Sequence, residues 1–213
     1  MQSRRNVHKV PYDAYFAAVR SDVYGEGSGF EKKLDFLKKY VAGFETLQEK
    51  GDRNGIYLFS TEKGCGKTFL ASVICNEIFA RYLYPAICCS EARLLDYLGT
   101  AYNRNTEQSP KDNLKNIRML FIDDIGQKKT GREYLDDVLF DILDYRMQKH
   151  LPTIFTSNFG IKQLAHAGIE SRIIDRIYSI AAPVEIPAFN VRRSQAKDSM
   201  TDMMEALGFN PEA

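Results

Sequence analysis

Apolar positions along the chain fall into short blocks that alternate between two periods. Leu34, Leu37, Val41 and Phe44 follow Phe30 at three- and four-residue steps, the spacing of one helix face, so a helix is predicted from Phe30 to about Leu47. The polar stretch Lys50 to Gly55 ends it. Ile56-Tyr57-Leu58-Phe59 is then a continuous apolar run, of a length that suits a strand buried on both faces. A second helix is predicted from Lys67 to about Tyr82, with Leu70, Val73, Ile74 and Ile78 along one side and Pro85 as its stop. Ala86 to Cys89 reads as a second strand, after which Ser90 can cap a helix from Glu91 to about Tyr102. Asn103 to Pro110 is polar and reads as a loop. Met119 to Ile122 is a third strand that ends in two aspartates, and a helix from about Glu133 to Gln148 leads to a fourth strand, Thr153 to Thr156. Short helices near Ile161 and Ser171, a last strand at Val184 to Ile186 and a helical tail from Arg193 to Leu207 complete the series.

Strands that alternate with helices imply a parallel sheet covered on both faces, an α/β architecture whose ligands bind outside the carboxyl ends of the strands. That rule directs attention to the residues just after each apolar run. Residues 1 to 29 stand apart, because they mix basic, aromatic and small residues and end in Gly25-Glu26-Gly27-Ser28-Gly29. They read as an N-terminal arm, with one domain over 30 to 213.

Composition leaves that picture standing. The 213 residues are 44% hydrophobic and 27% charged, which suits an ordinary globular domain with one substantial core. A formal net charge of +1 gives no long-range attraction to a polyanion, so a nucleic-acid contact must come from a local patch. No apolar run reaches membrane-spanning length, and Met1-Gln2-Ser3-Arg4-Arg5 lacks the apolar stretch of a secretory signal, so a cytoplasmic protein with no membrane partner is expected. Cys65, Cys75, Cys88 and Cys89 have neither paired CxxC spacing nor a nearby histidine cluster, which argues against a zinc site. Three of them read as small core residues; Cys65, in the turn after the first strand, is either filler or a thiol whose oxidation would block that turn.

The chemistry starts at Ser60-Thr61-Glu62-Lys63-Gly64-Cys65-Gly66-Lys67-Thr68, between the first strand and the second helix. Gly64 and Gly66 let the backbone curl so that successive amides face phosphate oxygens, and the helix opening at Lys67 aims its positive dipole end at them. Lys67 would reach the β and γ phosphates, and the Thr68 hydroxyl would hold Mg2+. The segment Thr61, Glu62, Lys63, Gly64, Cys65, Gly66, Lys67, Thr68 and Phe69 is therefore the expected binding site for ATP or ADP. The pattern GxxxxGK[ST] has glycine where this chain has Thr61, a β-branched residue ill suited to positive φ. The departure bears on affinity and hydrolysis.

Asp123 and Asp124 follow Met119-Leu120-Phe121-Ile122 and should emerge at the same sheet edge. Asp123 is the natural magnesium partner of Thr68, directly or through water. Asp124 is placed to orient or deprotonate the attacking water. Asn158, in Thr156-Ser157-Asn158 after the next strand, could hydrogen-bond that water or the γ phosphate, since an amide both donates and accepts.

The order GxGKT, hydrophobic-Asp-Asp, Thr-Ser-Asn resembles that of AAA+ ATPases. Ala71-Ser72-Val73-Ile74-Cys75-Asn76-Glu77, Leu120-Phe121-Ile122-Asp123-Asp124-Ile125-Gly126 and Pro152-Thr153-Ile154-Phe155-Thr156-Ser157-Asn158 resemble, more narrowly, the bacterial replicative helicase loaders of the DnaC and DnaI type. The resemblance covers about residues 30 to 195, and transposition helper ATPases of the IstB type share most of it. It implies a three-layer αβα sandwich around a five-stranded parallel sheet of order 5-1-4-3-2. Many related ATPases have glutamate where Asp124 stands; aspartate is one methylene shorter, so hydrolysis is expected to be slow or to use a bridging water.

The resemblance also gives jobs to arginines. In Ser171-Arg172-Ile173-Ile174-Asp175-Arg176-Ile177, Arg176 best matches a finger sent into a neighbouring subunit's nucleotide, with Arg172 close behind. Arg192, in Phe189-Asn190-Val191-Arg192-Arg193, resembles a sensor arginine acting on its own subunit's γ phosphate. A finger in trans implies self-association. Tyr102 and Arg104, with Lys128, Lys129, Arg132 and Tyr134 after the Asp-Asp strand, combine aromatic and cationic side chains suited to single-stranded DNA. Val10, Pro11 and Tyr12 of the arm are expected beside the adenine. Loaders of this family carry an N-terminal helicase-gripping domain that residues 1 to 29 are too short to supply, so a hexameric replicative helicase as partner rests on the resemblance. The expected function is an ATP-hydrolysing switch that controls DNA and helicase contacts in DNA replication. The rival readings are a transposition helper and a nucleotide-binding scaffold with little turnover.

Overall fold

A computed structural model describes residues 13–51, 53–100, 109–127 and 132–207. The predicted first helix divides at Gly43 into α1 (Phe30–Ala42) and α2 (Phe44–Lys50). Gly43 closes α1 through its N–H to the Lys39 carbonyl, and Phe44 then turns fully into the core, edge-on to Tyr84. The alternation that follows is β1 (Gly55–Phe59), α3 (Lys67–Tyr82), β2 (Ala86–Ser90), α4 (Glu91–Thr100), α5 (Pro110–Asn116), β3 (Met119–Ile125), α6 (Arg132–Gln148), β4 (Thr153–Ser157), α7 (Ser171–Ile180), β5 (Ala181–Glu185) and α8 (Val191–Ala206). A 3-10 segment, Ile161–Ala167, lies between β4 and α7.

All strand pairs are parallel, in the order β2-β3-β4-β1-β5. This is the expected order read from the opposite edge. Alternate residues of each strand serve opposite layers, as a pleated sheet requires. Ile56, Leu58, Phe121 and Ile154 pack with α1, α2 and α3, while Tyr57, Leu120, Ile122 and Phe155 pack with α4, α5, α6 and α7. The sheet is thus buried on both faces, which is why its strands are runs of apolar residues.

Two departures from the predicted elements have local causes. Helix α5 lies where no helix was expected; Ser109 caps it by accepting the Asp112 N–H at 3.1 Å, and Pro110 supplies the first-turn φ. Strand β5 begins at Ala181, three residues before the predicted start. Ala-Ala-Pro has weak strand character, but β5 is an edge strand paired only to β1 and so tolerates Pro183. Among the described residues, no helix is long and apolar enough to cross a membrane.

The carboxyl ends of β1, β4 and β3 lie side by side in that order. Residues leaving β1 and β3 can therefore meet only across β4.

Candidate functional site

Gly64 and Gly66 adopt φ of +75° and +86°, the left-handed region in which glycine is not strained. The positive-φ non-glycine residues among those described are Arg53, Leu83, Asp124 and His150, so Thr61 carries no such strain and the loop turns without a glycine there. Lys67 is buried, and its Nζ donates to the Glu62 carbonyl at 3.0 Å and lies 3.6 Å from Cys65 Sγ. The lysine thus closes the loop from inside. The Cys65 side chain is fully buried.

Asp123 and Asp124 sit in an irregularity of the β3–β4 ladder between Ile122 and Ile125. Asp124 has φ +57°, which lifts this pair out of regular strand geometry. Thr156 of β4 stands between the two flanking strands: its Oγ1 donates to Asp123 Oδ1 and accepts the Asp124 N–H at 2.9 Å. Thr68 Oγ1 donates to the same Asp123 oxygen at 2.9 Å. One hydroxyl of β4 therefore joins both aspartates, and through Asp123 it is linked to Thr68 of α3. Ser157, next along β4, donates to the Ile125 carbonyl at 2.7 Å, and the Tyr57 hydroxyl holds the Phe159 carbonyl at 2.7 Å, which fixes the turn carrying Asn158.

These residues surround a cavity of about 730 Å³. Lys63 to Leu70, Asp124, Gln127, Asn158 and Arg192 line it, together with Ala18, Val19, Val23 and Tyr24 of the arm. Thr61 and Glu62 lead into the loop outside this lining, and Asp123 lies behind it on Thr68. Glu62 instead accepts from Asn190 Nδ2 at 3.1 Å, and the Arg192 N–H donates to the Gly64 carbonyl at 3.2 Å. The start of α8 is thus pinned across the loop. Burial pushes the Asp124 carboxyl up from its ordinary range, with Asp123 adding to the rise and Lys67 and Arg192 opposing it. A raised carboxylate is the stronger base.

The hydroxyl of Thr68 and the carboxylate of Asp123 are hard oxygen donors on one side of the cavity, and among the described residues no group of three His, Cys, Asp or Glu could hold a metal alone. That set fits magnesium, which keeps water and phosphate ligands, better than a metal that needs a full protein cage.

The arginines behave differently from one another. Arg192 lines the cavity, whereas Arg176 pairs with Asp144 at 2.8 Å and Arg172 pairs with Glu170 and Asp137, each at 2.6 Å, both stacking over Phe140 of α6. Neither Arg172 nor Arg176 lines the cavity. Arg132, expected as a nucleic-acid contact, is instead drawn inward: it bridges the buried Glu91 at 2.7 Å and the buried Asp136, leaving its side chain 14% exposed. Glu91 also accepts the Gly126 N–H at 3.0 Å, so this ion network braces the loop after the aspartates. Tyr134 is exposed at the start of α6. Tyr102, Arg104, Lys128, Lys129 and the arm residues Val10, Pro11 and Tyr12 lie outside the described residues.

Residues 4–199 match the family described as IstB-like ATP binding protein. The chain belongs to the IstB-like ATP-binding family. Its relatives include the replicative helicase loader DnaI of Bacillus subtilis (strain 168), 30% identical over 174 residues that make up 76% of this chain and 53% of DnaI. The replicative helicase loader DnaC of Escherichia coli (strain K12) is 23% identical over 176 residues, 82% of this chain and 67% of DnaC. The chain thus spans about half the length of its DnaI relative. Among solved structures, that of DnaI has a TM-score of 0.62 at 30% identity, covering 84% of this chain and 90% of that one. The DnaC helicase loader has a TM-score of 0.67 at 19% identity, covering 84% of this chain and 99% of that one. AMPPCP-bound DnaA from Aquifex aeolicus has a TM-score of 0.66 at 20% identity, covering 93% of this chain and 57% of that one. The last two are likenesses of fold alone, and the sheet order agrees with the expected three-layer αβα sandwich.

Thr156, Tyr24, Asn190 and Glu91 are the parts of the site that sequence reasoning missed. Thr156 had a readable signal, since a polar residue in the apolar run Ile154-Phe155 needs a buried partner. The partners of the other three lie on distant segments and leave no local pattern.

Proposed function

We propose that this chain is the ATP-binding and ATP-hydrolysing unit of a replicative helicase loader, coupling nucleotide state to contacts with single-stranded DNA and a hexameric helicase. The observation that carries the reading is the convergence of Lys67, Thr68, Asp124, Asn158 and Arg192 on one cavity, with Asp123 fixed behind Thr68. The loop amides and Lys67 bind the phosphates, Lys67 exchanging the Glu62 carbonyl for phosphate oxygen. Thr68 and Asp123 would hold Mg2+, which when bound neutralises charge on the phosphates. Asp124 orients the attacking water and accepts its proton, helped by its raised pKa, while Asn158 hydrogen-bonds the same water. Arg192 reads the γ phosphate from within the subunit. Arg176, having no place in its own cavity, acts on a neighbour's, so turnover belongs to an assembly.

The IstB-like family match also supports a second reading, a transposition helper. The test is ATP hydrolysis with and without single-stranded DNA, beside Lys67→Ala, and capture of purified replicative helicase against purified transposase. DNA-dependent turnover abolished by Lys67→Ala, with helicase capture, supports the loader reading; transposase capture supports the rival. Nucleotide binding without Lys67-dependent turnover under any assembly condition would leave a scaffold only.

A further inference from the structure

We infer that Tyr24 is a positioning residue for the nucleotide: its hydroxyl, reaching in from the arm, fixes the direction of the Cys65–Gly66 peptide and so aims the Gly66 N–H into the phosphate loop. This rests on the cavity being a nucleotide site. The Tyr24 hydroxyl donates to the Cys65 carbonyl at 2.6 Å. In a trans peptide the carbonyl and the following N–H point in opposite directions. Anchoring the Cys65 oxygen on the Tyr24 side therefore turns the Gly66 N–H away from Tyr24.

The glycine at 66 is built for this contact. A Cβ there would lie 2.9 Å from the Tyr24 oxygen, so any side chain at 66 would displace the hydroxyl, besides being strained at φ +86°. The ring is held as firmly as the hydroxyl. It stacks on Phe30, the first residue of α1, with centroids 3.8 Å apart and planes 16° from parallel, and Phe189, just ahead of the α8 start, approaches to 6.2 Å. Burial pushes the phenol well above its ordinary range, so it stays a donor at working pH.

Ala14 and Phe16 of the arm are pinned to the helix that begins with Lys67. Asn76 Nδ2 donates to the Ala14 carbonyl at 2.9 Å, and the Phe16 N–H donates to Glu77 Oε1 at 3.0 Å. Tyr24 is thus held between the arm, α1 and the phosphate loop. Linkage is reciprocal: if the docked arm orders the loop for phosphate, bound phosphate must order the arm.

The experiment compares wild type, Tyr24→Phe and Lys67→Ala by equilibrium binding of Mg·ATP and Mg·ADP, with apo thermal melting and hydrogen exchange over residues 13 to 24. Tyr24→Phe keeps the ring and its stacking. It is expected to weaken ATP and ADP by the same factor, roughly three- to tenfold, while the apo melting point falls only by the few degrees that one lost hydrogen bond costs. Nucleotide should slow exchange in the arm of wild type and slow it less in Tyr24→Phe. Equal affinity of Tyr24→Phe and wild type overturns the inference, as does arm exchange that nucleotide slows equally in both proteins. Failure of wild type to bind, or binding indifferent to Lys67→Ala, overturns the nucleotide reading itself and the inference with it.

Discussion

Replacing Thr156 with valine removes one oxygen from a fully buried position and leaves the shape of the side chain almost unchanged. That oxygen donates to Asp123 Oδ1 and accepts the Asp124 N–H at 2.9 Å. A hydrogen bond to a charged group is worth about 1.5–3 kcal/mol, and a buried N–H left without a partner costs about 1–3 kcal/mol. The two do not add fully, because Asp123 keeps Thr68 and both aspartates are only half-buried and can recruit water. The net cost of Thr156→Val is therefore about 2–3 kcal/mol, which in a domain of this size lowers the melting point by roughly 4–12 °C. Urea denaturation gives the first number. The second readout is functional, since Asp123 loses one of the two hydroxyls that orient it: Mg·ATP binding should weaken about tenfold, while ATP without magnesium binds as in wild type. Thr156→Ser restores the hydroxyl and should recover most of both losses. Stability within about 0.5 kcal/mol of wild type, with unchanged magnesium dependence, refutes the role given to β4 as the bridge between phosphate loop and aspartates.

Other substitutions separate the roles of charged groups. Arg146 is fully buried and donates to the carbonyls of Leu114, Lys115, Ile117 and Pro152 and to Thr153 Oγ1; burial lowers its pKa to about 9, so it stays charged at neutral pH. Arg146→Met strands those carbonyls and should cost about 3–5 kcal/mol in guanidinium unfolding. Arg132→Ala breaks the pairs with Glu91 and Asp136, so calorimetry should show a loss of about 3 kcal/mol, and the salt dependence of any DNA binding should keep its slope. Arg192→Ala should weaken ATP binding by the isolated subunit. Arg176→Ala should spare that binding and abolish turnover in the assembly, with activity partly regained on mixing with Lys67→Ala subunits. Gly64→Ala puts a Cβ 2.7 Å from Asn190 Oδ1 at φ +75°, and should detach the α8 start from the loop, seen as faster amide exchange at Arg192.

Much of this was legible in the sequence, for a definite reason. Ile56-Tyr57-Leu58-Phe59 and Met119-Leu120-Phe121-Ile122 are apolar on both faces because both faces of the sheet are covered, and an apolar run followed by glycines or acids marks the carboxyl end where ligands gather. The placement of Gly64, Gly66, Lys67 and Thr68 was readable because it depends on the local chain. What local pattern could not give was the set of partners across the sheet. Arg132 looked like a surface cation beside Lys128 and Lys129, and only the packing of α4 against β3 brings Glu91 to it. Thr61 looked like a strained departure because the motif has glycine there, yet the chain turns at Gly64 and Gly66 and asks nothing special of position 61. Ser109-Pro110 is a readable helix start, but the uniformly polar residues before it carry the pattern of a loop.

Calorimetric titration of the purified chain with Mg·ATP tests the central claim most directly, with Lys67→Ala and Asp123→Asn run alongside. One saturable site per chain is predicted in wild type, lost in Lys67→Ala and stripped of its magnesium dependence in Asp123→Asn. Absence of a site in wild type, or heats that survive both substitutions unchanged, contradicts the reading of this cavity as a nucleotide site.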